Sequence, residues 1–354
     1  MKKLSFILGI FAIGSLGSFA QSNIGIVTES GADQEATIDQ MGFLNKSYVT
    51  QSNKANEAEV TQSNFNALYN TYSDVNQSGK SNEAVVKQIS NGTLTGANAI
   101  GTLKALVTQT GNKNEVYQYQ GPHNQQGISF AEVIQSGNEN FASQNQLKYG
   151  NEARINQSGN NNVAMQAQDS ELLPDEEGSY GTALIDQSGN SNTATQKQDG
   201  WSNDAKAYQS GNGNLSTQVQ EDYSWKSIAF VSQSGNNNIA TQNQLGYLNS
   251  ATIDQASNNS VATQIQTSGH KRTVDYEELN EAEIYQWGGT KNTALQTQES
   301  LGLSLMENEG IIWQNGSLND ATQTQTGGDN FSTVSQTGNN HKATVTQSMS
   351  IVQL

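Results

Sequence analysis

The chain has 354 residues, 33% hydrophobic and 14% charged, with two prolines and no cysteine. Average soluble domains hold about 45–50% apolar and about 25% charged residues, so one large oil-like core is excluded, and the low charge density argues against a charge-driven disordered tail. The absence of cysteine excludes disulfides, thiolate metal sites and cysteine nucleophiles, and the net charge of −16 argues against nucleic acid as a partner. Amides fill the deficit, with 39 Gln and 42 Asn.

The chain opens with Lys2 and Lys3, an apolar run from Leu4 to Leu16, and the small-residue site Ser18-Phe19-Ala20. This reads as a cleavable secretory signal over residues 1–20, leaving one mature region, 21–354. A transmembrane anchor is the poorer reading, because the run is short and no basic cluster follows. No later stretch reaches the ~20 apolar residues that span a bilayer, so no membrane span is expected.

An eleven-residue period runs through the mature region. Glutamines recur at Gln135, Gln146, Gln157, Gln187, Gln198, Gln209, Gln220, Gln233, Gln244, Gln255 and Gln266. Asn140, Asn151, Asn162, Asn192, Asn203, Asn214, Asn238 and Asn249 each follow such a glutamine by five residues, after a turn-forming Ser/Gly/Asn stretch. Positions +5, +7, +9 and +11 share parity, hence one face of a strand. A right-handed helical coil also fits a period of eleven, but the glycines, the Thr and Val content and the strict alternation oppose it.

The position four before each glutamine is small, as at Ala131, Ala153, Ala240 and Ala251. The position two before alternates between strands. One kind carries Val or Ile, as at Val133, Ile155, Val231 and Ile253; the other carries glutamine, as at Gln144, Gln166, Gln196, Gln218, Gln242 and Gln264. The repeat is therefore 22 residues and two strands. The expected fold is all-β, a β-solenoid of about 13 coils, roughly 60 Å long at ~4.8 Å per coil. Longer steps follow Gln62, Gln88, Gln120, Gln168, Gln220, Gln266 and Gln298, always after the same kind of strand. The insertions should leave on one edge.

The edges differ in chemistry. One carries Asn three residues after the glutamine, from Asn112 to Asn339; the other often carries an aromatic, at Phe43, Phe65, Tyr149, Trp201, Tyr223 and Tyr247. Stacking would align each set in a column. For the asparagines, the plainer reading is that Asn suits a positive φ. A buried amide costs ~1–3 kcal/mol if unsatisfied, and a column of identical amides solves this by bonding each copy to the next. No cap is evident at either end of the array, so its terminal coils should template another chain.

The segment Gln157-Ser-Gly159-Asn-Asn-Asn162-Val-Ala164-Met-Gln-Ala-Gln168 resembles the curlin repeat, Gln-x-Gly-x-x-Asn-x-Ala-x-x-x-Gln, as do those starting at Gln187, Gln209 and Gln233. The resemblance covers nearly all of residues 23–347. It implies a structural subunit of a curli-like extracellular amyloid fibre on the cell surface, contributing to biofilm matrix and adhesion. It also implies partnership with itself and other curlin subunits, and passage through an outer-membrane secretion channel with accessory factors. The ladder amides carry over as fibre-core residues. The chain departs from the family in its greater repeat number and its one-edged insertions.

No enzyme pattern competes. His123 and His270 fall in insertions or turns, His341 replaces a ladder Asn, and no cofactor or metal site is expected. The acidic runs Asp175-Glu176-Glu177 and Glu277-Glu278 read as solvated loops rather than calcium ligands. The alternatives kept open are a nucleator or minor subunit of the same fibre, and a monomeric secreted β-solenoid that acts as an adhesin or binds ice or glycan through Thr-rich rows such as Thr241, Thr252 and Thr263.

Overall fold

The computed structural model describes residues 23–65, 69–90, 101–123, 128–148, 150–169, 180–268, 280–300 and 308–348. The export segment, both acidic runs, His270 and Tyr149 lie outside them. The described chain is all-β, with 26 strands taken two to a coil, hence thirteen coils.

Two compact units divide the strands. In the first, one sheet stacks β1 (Ile24–Ala32), β3 (Asn45–Lys54), β5 (Tyr69–Lys80), β7 (Gly101–Asn112), β9 (Ile128–Asn138) and β11 (Glu152–Asn160). Its other sheet stacks β2 (Glu35–Gly42), β4 (Glu57–Asn64), β6 (Glu83–Ser90), β8 (Glu115–His123) and β10 (Phe141–Gln146). In the second unit the even strands are β12 (Val163–Asp169), β14 (Thr193–Trp201), β16 (Leu215–Trp225), β18 (Ile239–Tyr247), β20 (Val261–Thr267), β22 (Thr293–Glu299), β24 (Asp320–Thr326) and β26 (Lys342–Ser348). Its odd strands are β13 (Thr182–Asn190), β15 (Asp204–Asn212), β17 (Ile228–Asn236), β19 (Asn249–Asn258), β21 (Asn280–Thr290), β23 (Asn308–Asn315) and β25 (Asn330–Thr337).

Every pairing is parallel, and most inward positions place like on like. Ala153 pairs with Ala131, Ile155 with Val133 and Gln157 with Gln135; Ala240 pairs with Ala262 and Gln242 with Gln264. The alternation predicted from sequence sets the packing. Ala131, Val133, Ala153, Ile155, Ala240 and Ile253 are fully buried between the two sheets, together with the ladder amides. Alanine keeps the interior thin, and the β-branched row fills one wall.

The turns from odd to even strands are tight, and glycine is needed in them. Gly189 has φ 100°, and a Cβ there would lie 2.0 Å from the Gly211 carbonyl oxygen of the next coil. Two residues on, Ser191 has φ 55°. The lengthened steps all fall after even strands β4, β6, β8, β12, β20 and β22 or, for β16, inside the strand where its register shifts, so the one-edged insertions are observed. After each, the register resumes: Gln255 pairs with Gln286 although 31 residues separate them.

Candidate assembly interface: the amide columns

The glutamines that close the strands form two columns of side-chain hydrogen bonds. In the first unit's odd strands, Gln51 Nε2 donates to Gln77 Oε1 (2.8 Å), Gln77 to Gln109 (2.8 Å), Gln109 to Gln135 (3.0 Å) and Gln135 to Gln157 (2.8 Å). In the second unit's odd strands the column runs Gln187, Gln209, Gln233, Gln255, Gln286, Gln314, Gln336. The even strands repeat this from Gln40 to Gln146 and from Gln168 to Gln347, through Gln198, Gln220, Gln244 and Gln266. A third column on the even strands joins Gln118 to Gln144, and Gln166 through Gln196, Gln218, Gln242, Gln264 and Gln296 to Gln323.

Each amide has a second hydrogen, and in most of them the facing strand takes it. Gln135 donates to the Glu115 carbonyl (3.1 Å), Gln242 to that of Phe230 (2.9 Å) and Gln264 to that of Thr252 (2.9 Å). The columns therefore also tie the two sheets together. In all three glutamine columns the donor lies in the earlier coil.

The inner asparagines run the other way. Asn140 Nδ2 donates back to Asn114 Oδ1 (3.2 Å), and the backbone N–H of Asn192, Asn214 and Asn238 donates to Oδ1 of the asparagine one coil earlier. On the other edge, Ser227 N donates to Asn203 Oδ1, and Asn280 Nδ2 to Asn249 Oδ1. Asn151 and Asn162 are buried in the same rows. His341 keeps the register through its backbone N–H, which donates to Asn319 Oδ1 (3.1 Å). The exposed turn asparagines form a further column in the glutamine sense, with Asn112 donating to Asn138, Asn138 to Asn160, and Asn190 through Asn212 and Asn236 to Asn258. Positive φ does not explain them, since it falls on the following residue, for example Asn161 or Asn237.

The columns contain defects. Gln118 Oε1 is buried without a donor, because the residue one coil earlier is Val86. At the other end Gln323 is followed by Val345 and turns its amide to the Ser332 carbonyl (2.7 Å). Gln51 Oε1 is likewise buried without a donor, and its register partner in β1 is Glu29.

Of the edge aromatics, Phe65 is exposed, while Phe43, Trp201 and Tyr247 are half-buried. The side chain of Tyr223 is outside the described residues. A register shift in β16 places Trp225 between Trp201 and Tyr247. Ring contacts that sequence reasoning missed lie on the outer strand faces: Tyr48 with Tyr72 at 5.8 Å, Tyr208 with Phe230 at 5.7 Å, and Tyr285 with Trp313 at 4.6 Å. The stacking of coils was the available signal, since these residues sit on neighbouring outward positions. Glu35, Glu57, Glu83 and Glu115 also stack in register. Glu115, burial and Glu83 raise the Tyr117 hydroxyl pKa. Among the described residues, no three of His, Asp and Glu are grouped to hold a metal ion, and no helix is long and apolar enough to cross a membrane.

The geometry defines a class: a parallel β-solenoid whose interior is built from hydrogen-bonded amide columns. The curlin associated repeat matches residues 31–63 and 319–348, so both of these regions are similar to the curlin-repeat family. No curated protein matches the chain. Family and fold are of a structural, non-enzymatic kind, and the family implies self-assembly with curlin subunits and an extracellular, cell-surface location.

Proposed function

We propose that the protein is a structural subunit of a curli-like amyloid fibre, growing by end-to-end addition of copies at the cell surface and contributing to biofilm matrix and adhesion. The observation that carries this reading is the state of the first and last described coils. The inward positions of β1, β2 and β26 are only half-buried, whereas the same rows in β4 and β6 are buried. These strands offer backbone and amide groups in the pattern that the internal coils already satisfy with one another. Export through the 1–20 segment and an outer-membrane channel completes the proposal.

The test is thioflavin fluorescence of the purified mature chain with and without preformed seeds. A sigmoidal rise that seeds abolish supports the reading. Protein that stays monomeric for days at high concentration refutes it and favours a monomeric adhesin. Shortening a partner subunit's lag at sub-stoichiometric amounts, without bulk polymer of its own, points to a nucleator.

A further inference from the structure

The first and last described coils carry matching rows. Each coil registers 22 residues apart where no insertion intervenes, as in β1 on β3 and β23 on β25. Carrying this register onto a second copy, with its β1 and β2 laid on β25 and β26 of the first, brings Asn23 over Asn330, Val27 over Val334, Ala36 over Ala343, Ile38 over Val345 and Gln40 over Gln347. The bond senses match as well. Among the described residues, Gln347 Nε2 bonds the Phe331 carbonyl alone (2.8 Å), so one hydrogen faces the copy above, where Gln40 Oε1 would accept it. The reverse contact, like end on like end, would set glutamine acceptor against acceptor at the first coil and donor against donor at the last. The odd-strand glutamine row breaks the match: Gln336, whose Nε2 bonds the Asp320 carbonyl (2.9 Å), meets Glu29.

Resting on the fibre reading above, we propose that Glu29 makes the joint between copies proton-dependent. In the joint its carboxyl is closed between Gln336 Nε2 of one copy and Gln51 Oε1 of its own. As a carboxylate it accepts from Gln336, but it sets a second acceptor against Gln51 Oε1, which already lacks a donor. As a neutral acid it reproduces the along-column part of a glutamine's bonding, though its single hydrogen leaves none for the facing strand. Its carbonyl oxygen accepts from Gln336 and its O–H donates to Gln51. Each joint therefore takes up a proton, and joining strengthens as pH falls.

Among the described residues, no neighbouring charge substitutes for the proton. On β2, Glu35 and Asp39 point outward and are exposed; on β3, Lys46 is exposed and points outward, and Lys54 pairs with Asp33 at the turn (3.9 Å). On the incoming copy, the inward positions of β25 are uncharged and Lys342 of β26 is exposed. His341 falls over Gln34, in the asparagine row.

The experiment compares seeded elongation rates of the mature chain, Glu29→Gln and Asp39→Asn from about pH 5.5 to about pH 8. Asp39→Asn removes the same unit of charge from the outer face. The expected result is that Glu29→Gln elongates about tenfold or more faster than the other two at the high end, and that the gap closes as pH falls. Parallel pH profiles for Glu29→Gln and wild type, or an Asp39→Asn profile equal to that of Glu29→Gln, would overturn the role of Glu29 while leaving the fibre intact. Failure of all three to elongate at any pH would overturn the fibre reading itself, and this inference with it.

Discussion

Gln242 and Gln264 are linked by a 3.0 Å bond from Nε2 to Oε1, and the second Gln242 hydrogen is held by the Phe230 carbonyl at 2.9 Å. One side chain thus bonds its own sheet's next coil and the opposite sheet. Leucine fills similar space but supplies neither bond.

Gln242→Leu should therefore strand the Gln264 oxygen, the Phe230 carbonyl and one Gln218 hydrogen, at ~1–3 kcal/mol each. Gln118→Leu should be milder, because the Gln118 oxygen already lacks a donor: its removal moves that defect to Gln144 and strands one further group, the Leu106 carbonyl. Denaturant unfolding of the two variants checks this: Gln242→Leu should lose more stability by about 2–6 kcal/mol.

The turn glycine is tested by Gly189→Ala. A Cβ 2.0 Å from the Gly211 oxygen forces both coils apart, so a loss on the order of 2 kcal/mol or more is expected in thermal or denaturant unfolding. Ser191→Gly, at φ 55°, should stay within about 1 kcal/mol of wild type, because relief of backbone strain offsets the added freedom of the unfolded chain.

Removing nine residues, 269–277, restores an eleven-residue step between Gln266 and Gln286. The bond from Gln255 to Gln286 (2.8 Å) does not depend on that segment. Far-ultraviolet circular dichroism and the unfolding midpoint should be preserved; loss of the β signal would show that the insertion supports the coil.

Asp186 on β13 is held above the ordinary carboxylate value of 3.8 by burial. The folded state therefore binds this proton more tightly than the unfolded chain does. The contribution stabilises the fold as pH falls through the raised native value, is complete below about 3.8, and is absent at neutral pH. Asp186→Asn should raise the melting temperature at neutral pH and change it least in strong acid.

Most of this fold was legible because it repeats. Gln135, Gln157 and their Val or Ile neighbours recur at fixed parity, and parity decides which side chains are enclosed. Bond direction was not legible: it depends on how each amide is turned, which composition and spacing do not encode. Reading the period from its glutamines alone also hid the member of the odd-strand column before Gln51, because Glu29 occupies that position without being an amide. Likewise, Val86 interrupts the third column one coil before Gln118, and only the observed register shows the missing donor. The shift that puts Trp225 between Trp201 and Tyr247 arises inside a lengthened step, where counting by eleven fails.

The opposed senses of the glutamine and inner asparagine columns have an electrostatic effect. Each carboxamide is a small dipole, and a column of one sense sums them along the stack as peptide units do in a helix. Here the inner asparagines oppose the glutamines coil by coil, so part of that field cancels where it arises. Added coils therefore build up less charge separation between the ends than a stack of one sense would.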